Sequence, residues 1–342
     1  MSEHTPIGLE NGTTPVKALT HSGNFHVDET LGYVILHYAL APQGDLRGRV
    51  LGEVPVDRLD FTRTRSPERI KAADIVFDVG GAYEPSRGRY DHHMKDKPLR
   101  EDGMPYSAAG LLWKDYGVAA LRNILTTPVD DEGLAAIWQA VDHALVLPID
   151  QDDNGVAKMG KLSLADIVSA CGPAWDTAEL HGPDEARARE AQGFANAAVA
   201  VASHLVNMVD RMRASLKAAN RVMAAYDGAD DKRILVMDTG MPTEKVIFEQ
   251  QLPVVYVVSP AGPDRWNVKA VPPKRGDFGQ RVSLPEAWGG LEREALAEAS
   301  GVADAVFAHP ARFICGAASK DGALKMARLA LEIDAALERP GV

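Results

Sequence analysis

Hydrophobic and polar positions along this chain follow two rhythms, and the switch between them marks its parts. Val16 to Thr20 (VKALT) is a short apolar run that stops at His21, and Glu29 to Leu40 follows with a helical pattern. Arg58 to Thr64 (RLDFTRT) alternates as a strand does, Pro67 to Ala72 suits a short helix, and Asp74 to Val79 (DIVFDV) reads as a buried strand closed by Gly80-Gly81. Ser107 to Tyr116 is helical again. Strands that alternate with helices predict an α/β fold with a parallel, doubly wound sheet, whose ligands gather at the carboxyl ends of its strands. His21 and Asp78 are both predicted to stand at such ends.

From Glu185 to Tyr226 the rhythm changes. Phe194, Ala198, Val201, Leu205, Met208, Met212, Leu216, Ala219, Met223 and Tyr226 recur at spacings of three and four, without a proline. That is the stripe of a long amphipathic helix, or of two in series, with its methionines as core filler. Beyond Asp227-Gly228, strands are expected at Ile234–Met237, Val254–Ser259, Trp266–Val271, Ala305–Ala308 and Arg312–Cys315, with a closing helix over Ser319–Leu337. The expected organisation is a disordered tail over 1–16, a metal-binding catalytic domain over 17–184, a helical connector over 185–230 and a smaller α/β C-terminal domain over 231–342, which binds substrate.

Composition narrows the function classes. At 342 residues, 46% hydrophobic and 25% charged, the chain has material for a sizeable core and no apolar run long enough to cross a bilayer. The first residues, MSEHTPIGLENGTTPVK, lack the basic and apolar regions of a signal or transit peptide. Two distant cysteines, Cys171 and Cys315, rule out a cysteine-built zinc site and suit a reducing cytoplasm. A net charge of −11 argues against a generic nucleic-acid binder but leaves room for local phosphate chemistry, because bound metal ions invert the field inside a site. Self-association into a homo-oligomer stays open.

The candidate chemistry lies in four segments. Thr20 to Glu29 (THSGNFHVDE) carries His21, His26 and Asp28 on the loop between a strand end and a helix start, with Ser22 and Gly23 allowing a tight path. Asp78 ends a strand. Asp91-His92-His93 follows, and Pro148 to Gly155 (PIDQDDNG) offers Asp150, Asp152 and Asp153 before an Asn-Gly turn. Imidazoles mixed with carboxylates suit divalent Mn, Co, Fe or Zn. The set exceeds one tetrahedral ion and suits two, with Asp78 as the shared carboxylate. Neighbours in an extended segment point to opposite sides, so His92 is expected to be a ligand and His93 to face substrate. Asp91 would hold an imidazole in one tautomer.

The ordered set H-x-G-x-F-H-x-D-E, D-x-G-G-x-Y, Y-D-H-H and D-N-G resembles the Myg family, a branch of the DHH phosphoesterase superfamily. The likeness runs from about Lys17 to the last helix and includes Arg63-Thr-Arg-Ser-Pro-Glu68, Ser107-Ala-Ala-Gly110, Leu284 to Leu291 (LPEAWGGL), Ala305 to Ile314 (AVFAHPARFI) and Asp321 to Ala327 (DGALKMA). The resemblance implies a manganese-dependent hydrolase of phosphodiester bonds, in the family a 3′ to 5′ exonuclease acting chiefly on RNA. It implies that His21, His26 and Asp78 hold one ion, that Asp28, Asp78, His92 and Asp153 hold the other, and that His93 contacts the phosphoryl group. His26 stands where many superfamily members carry Asp. Some relatives supply a Gly-Gly-His-His segment near the end, where this chain has Ala317 and Ala318 inside Ile314-Cys-Gly-Ala-Ala-Ser319.

Arg312, Ser319 and Lys320 could still bind phosphate there, and Arg65 is a further candidate contact, whereas Arg63, Arg89 and Lys95 read as surface bases. The main alternative is hydrolysis of a small phosphate ester, such as pyrophosphate, a cyclic dinucleotide or a nucleotide. Overall acidity and only 6% aromatic residues lean toward it, since strand-tracking grooves combine bases with stacking rings. Trp113, Trp175, Trp266 and Trp288 are expected to be buried rather than to stack. A third alternative is a non-catalytic metal-binding protein.

Overall fold

The computed structural model describes residues 5–9, 14–40 and 58–337. The chain divides into two compact units, residues 1–213 and 214–342. The expected tail over 1–16 lies partly outside the described residues; within them, the Ile7 carbonyl accepts the Tyr116 hydroxyl at 3.0 Å.

In the first unit β1 (Val16–Thr20), α1 (Val27–Leu40), β2 (Leu59–Arg63), α2 (Pro67–Ala72), β3 (Ile75–Phe77), β4 (Tyr83–Glu84) and β5 (Arg89–Tyr90) follow in order. The sheet order is β2-β1-β3-β5-β4, parallel throughout except for the antiparallel edge pair β4/β5. Register decides what this sheet presents. Leu19 pairs with Val76 and Phe77 with Tyr90, so the residues just past these pairs leave three adjacent strands at one carboxyl edge. They are His21, Asp78 and Asp91-His92.

β3 is shorter than the apolar run Asp74–Val79 suggests. Asp78 adopts φ 55°, a left-handed conformation that ends the strand. Asp and Asn tolerate that region better than other side chains with a Cβ, and strain held at a strand end is common where function is built.

The rest of the unit is helical: α3 (Ala108–Ile124), α4 (Asp131–Val141), a π-helical turn over Asp142–Val146, α5 (Leu147–Asp153), α6 (Leu164–Ala170), α7 (Thr177–His181) and α8 (Pro183–Asp227). α8 crosses the boundary between the units. Every residue of α1 is buried, and α1 lies along α3, whose N-cap is Ser107. None of α4 to α7 is among the elements expected above, although α4 carries an N-cap at Asp130 and a buried stripe of Leu134, Ile137 and Val141.

In the second unit β6 (Ile234–Val236), α9 (Glu244–Glu249), β7 (Tyr256–Gly262), β8 (Arg265–Ala270), α10 (Arg293–Ser300), β9 (Ala305–Ala308), β10 (Ile314–Ala317) and α11 (Lys320–Leu337) surround a core that includes Tyr256, Trp288, Leu296 and Met326. Its sheet order is β6-β7-β8-β10-β9, with only β6/β7 parallel. The last strand starts two residues later than expected. Arg312 takes φ 58° and His309 N–H donates to the Ile314 carbonyl at 2.9 Å, so residues 309–313 form a turn. Trp113 and Trp288 are buried as expected, but Trp175, on the loop before α7, is 88% exposed. No helix among the described residues is long and apolar enough to cross a membrane.

Candidate metal centre

Asp78 is the hub of the carboxyl edge. Its Oδ2 lies 3.2 Å from His21 Nε2, while its Oδ1 lies 3.3 Å from His92 Nε2. His21 Nε2 is also 3.1 Å from Glu29 Oε1. His92 Nε2 is 3.2 Å from Asp153 Oδ2 and 3.8 Å from Asp28 Oδ2. One carboxylate thus faces two donor groups, His21 with Glu29 on one side and His92, Asp28 and Asp153 on the other, with His93 Nδ1 also 3.5 Å from its Oδ1.

Local structure explains each placement. Asp28 and Glu29 occupy the first turn of α1, and the amides at the start of α3 hold Asp28. Ala109 N–H donates to its Oδ1 at 2.6 Å and Ala108 N–H to its Oδ2 at 3.0 Å, using donors that a helix N-terminus leaves free. Asp153 is the last residue of α5, stopped by Asn154, whose side-chain amide donates to the carbonyls of Pro105, Tyr106 and Asp150.

The two other acids of that segment turn elsewhere. Asp150 accepts from Ser107 N–H and Oγ at 2.9 and 2.8 Å and from Arg100 Nε at 2.7 Å. A Cβ on Gly110 would collide with the Asp150 carboxylate, so only glycine fits there. Asp152 accepts from Met159 N–H at 3.2 Å.

The electrostatics call for a cation. Burial pushes the Asp28 carboxyl well above its ordinary range, and Asp153 and Asp78 push it further. Burial likewise raises Asp153, with Asp78 adding to the rise and His92 opposing it. Burial also works to raise Asp78, but His21 and His92 outweigh it and hold the carboxyl at about 2. For His21 burial pulls downward, yet Asp78 and Glu29 push the imidazole up to about 10. Carboxylates crowded in a buried space make its centre attractive to positive charge.

Two orphaned features fit metal ions in particular: both ring nitrogens of buried His92 and the Oε2 of buried Glu29 lack a hydrogen-bond partner. The donor set is of the type that Mn, Co, Fe and Zn accept.

His92 and His93 differ in exposure although their ring centres are only 4.2 Å apart. The His92 side chain is 2% exposed and the His93 side chain 61%. Asp91 governs both. Its Oδ1 accepts the backbone N–H of His92 at 2.7 Å, that of His93 at 3.1 Å and His93 Nδ1 at 2.8 Å. Its Oδ2 accepts Gly81 N–H at 2.5 Å, from a residue with φ 68°. With Nδ1–H donated to Asp91, His93 turns Nε2 outward as a lone pair or, when protonated, as a donor. His93→Ala is therefore expected to keep the metal content of the wild type and to lower kcat by about 100- to 10,000-fold, the usual worth of a placed acid–base group. Metal analysis alongside kinetics checks this; loss of an ion would show that His93 is a ligand.

The remaining predicted residues are placed as follows. The His26 side chain is exposed and joins neither donor group; its N–H donates to Glu29 Oε1 at 2.9 Å. Its charge is nonetheless felt at Asp153, which it pulls downward. Arg65 Nε donates to the Ser22 carbonyl at 3.2 Å. Arg63, which reads as a surface base in the sequence, is buried. It donates to the Gly23 carbonyl at 2.7 Å and to Glu190 Oε1 at 2.9 Å, and Glu190 Oε1 also accepts Gly23 N–H at 3.0 Å.

In the second unit Ser319 N–H and Oγ donate to Asp304 Oδ2 at 2.9 and 2.6 Å, so Asp304 fills the N-terminus of α11. Lys320 Nζ stands 5.8 Å from the centre of the Trp266 ring. Glu29 is the residue the sequence does not single out. Its signal is its place directly after Asp28 in the first turn of a helix buried on every side.

A family model, MYG1_exonuc, described as an uncharacterised protein family (UPF0160), matches residues 17–331. The MYG1 exonuclease of Homo sapiens is 28% identical over 348 residues, covering 93% of this chain and 86% of its own. The MYG1 protein C694.04c of Schizosaccharomyces pombe is 29% identical over 340 residues, covering 93% and 98%. Among solved structures, RecJ from Thermus thermophilus in complex with Mn2+ is similar at 17% identity and a TM-score of 0.27. That likeness covers 95% of this chain and 53% of RecJ, about half of its length.

Proposed function

The chain belongs to the MYG1 family (UPF0160), and from that premise we propose that it is a divalent-metal-dependent phosphodiesterase, a 3′ to 5′ exonuclease on RNA or short oligonucleotides with Mn2+ as its natural metal. The observation that carries this reading is Asp78, whose two oxygens face separate donor groups. The name of the human relative, MYG1 exonuclease, supports a nucleic-acid substrate. His21, Asp28, Asp78, His92 and Asp153 are the residues whose placement supports holding two cations, and the family resemblance alone adds His26. Bound there, the cations supply charge compensation to the phosphoryl oxygens and activation to the attacking water.

The protein's own groups do the rest. Asp78 keeps the two donor groups in register, and the α3 amides fix Asp28. Asp91 orients His93, whose outward Nε2 contacts the phosphoryl group and protonates the leaving oxygen. Residues 17–184 act as the metal-holding domain, 185–230 as connector and 231–342 as substrate-binding domain. The Arg312 guanidinium has no hydrogen bond or ion pair among the described residues, unlike Ser319, and is the readiest phosphate contact of the three candidates named from the sequence. Ser319 would first have to leave Asp304, and Lys320 the Trp266 face. Arg65 would contact substrate beside the metal loop. Two free cysteines are consistent with a reducing, cytoplasmic setting.

The same centre would serve a small phosphate ester, and the acidic composition favours that second reading. Purified protein is expected to shorten 3′-labelled and 5′-labelled RNA from the 3′ end with Mn2+ and to stop on addition of EDTA. Turnover of dinucleotides or pyrophosphate alone would sink the exonuclease reading and keep the metal centre. No turnover of any of these, by wild type and Asp78 variants alike, would leave a metal-binding protein without catalysis.

A further inference from the structure

Glu29 has no part in the ligand set that the family resemblance implies, yet its surroundings are those of a ligand. Its side chain is fully buried, its Oε1 lies 3.1 Å from His21 Nε2, and its Oε2 has no partner. A buried carboxylate oxygen without a donor is costly, and native proteins rarely leave one. We propose that Glu29, in place of His26, joins His21 and Asp78 in holding the first of the two cations, leaving the His26 imidazole on the open side of the site. This rests on the two-cation reading above.

The hydrogen-bond polarity at His21 is the main argument. Its Nδ1 points at the Ser22 carbonyl at 3.3 Å, which can only accept. With the proton on Nδ1, Nε2 carries a lone pair. Glu29 Oε1 and Asp78 Oδ2, at 3.1 and 3.2 Å from that nitrogen, are lone-pair atoms too. The convergence of these three atoms calls for a proton or a cation among them, and a divalent ion takes the proton's place while Nδ1–H stays on the Ser22 carbonyl.

The spacing agrees. Donors held about 2.0 to 2.2 Å from one ion, at angles between a right angle and the tetrahedral value, stand roughly 3.0 to 3.5 Å apart. His26 meets none of these conditions. Its side chain is exposed, and its contribution to the group is a backbone N–H that donates to Glu29 Oε1 at 2.9 Å and so helps to aim that carboxylate.

The test compares Glu29→Gln with His26→Ala by Mn2+ titration calorimetry and by metal analysis after gel filtration, with circular dichroism as a check on folding. Glutamine keeps the shape of the side chain and an oxygen for the His26 N–H. Wild type and His26→Ala are expected to hold two Mn2+ ions with equal affinities. Glu29→Gln is expected to hold one tightly and the other at least about 100-fold more weakly, beyond the 10- to 100-fold that loss of a mere supporting contact costs. Two tight ions in Glu29→Gln, or loss of one in His26→Ala, would overturn the assignment while leaving the two-cation reading intact. Wild type that holds no Mn2+ would overturn both. Should Glu29→Gln fail to fold, anomalous scattering from wild-type crystals grown with Mn2+ decides the matter. A peak within about 2.5 Å of a Glu29 oxygen supports the proposal, and a peak bonded to His26 instead rejects it.

Discussion

Asp78→Asn is expected to lower kcat by at least about 1,000-fold, the largest effect on activity of any single change in this site. The amide keeps the size of the carboxylate but loses the charge and one of the two acceptor oxygens, which now face His21 and His92 separately. Asparagine is the informative substitution because residue 78 sits at φ 55°. Asn tolerates that conformation, whereas Ala would add about 1 to 2 kcal/mol of backbone strain and mix a folding defect into the result. Kinetics with saturating Mn2+, together with a thermal melt, separate the two effects. Wild-type turnover in a folded Asp78→Asn protein would show that one shared carboxylate is not required, and the two-cation reading would fall with it.

The largest effect on stability is expected away from the metal-facing atoms, at Arg100. Its guanidinium donates to both oxygens of Asp142 at 2.7 and 2.9 Å and to Asp150 at 2.7 Å, with only 11% of the side chain exposed. Arg100→Ala leaves two carboxylates facing each other with no cation, one of them fully buried. Removing one partner of a buried pair costs about 3 to 5 kcal/mol. Asp150 has no room to retreat past Gly110, and it also caps α3 through Ser107. Urea unfolding, with hydrogen exchange of the α3 and α5 amides to follow the first unit, measures the loss. A change below about 1 kcal/mol would mean that water replaces the guanidinium at little cost, as it does for exposed pairs.

The sequence is informative about this centre where backbone rhythm and side-chain type point the same way. VKALT is followed directly by His21 and the apolar run of DIVFDV is broken at Asp78, and in a parallel sheet such ends lie side by side, so both can be put on one edge from the sequence alone. Asp91-His92-His93 is legible as a cluster, but the expected divergence of its two imidazoles is not found, since their ring centres lie 4.2 Å apart. Asp153 can be named but not separated from Asp150 and Asp152. The choice depends on the pitch of a short helix and on Arg100, fifty positions away, drawing Asp150 aside. Glu29 stays hidden because α1 is buried on every side and no polar stripe tells inside from outside. The pairing of Ser319 with Asp304 is equally out of reach, since nothing in either local pattern announces the other. Helical content between residues 125 and 184 is legible only in α4, with its N-cap Asp130 and its buried stripe of Leu134, Ile137 and Val141; α5 to α7 are too short to show a stripe.

The grip on Gly23 bears on how the chain can be divided. One oxygen of Glu190 takes the Gly23 amide, 167 positions earlier, together with the Arg63 guanidinium, which stacks 4.7 Å from the centre of the Phe194 ring. The curvature of the loop between His21 and His26 is thus moulded by side chains on α8. Trimming the polypeptide ahead of residue 190 would keep all six proposed ligands while discarding the brace that sets the path from His21 to the start of α1.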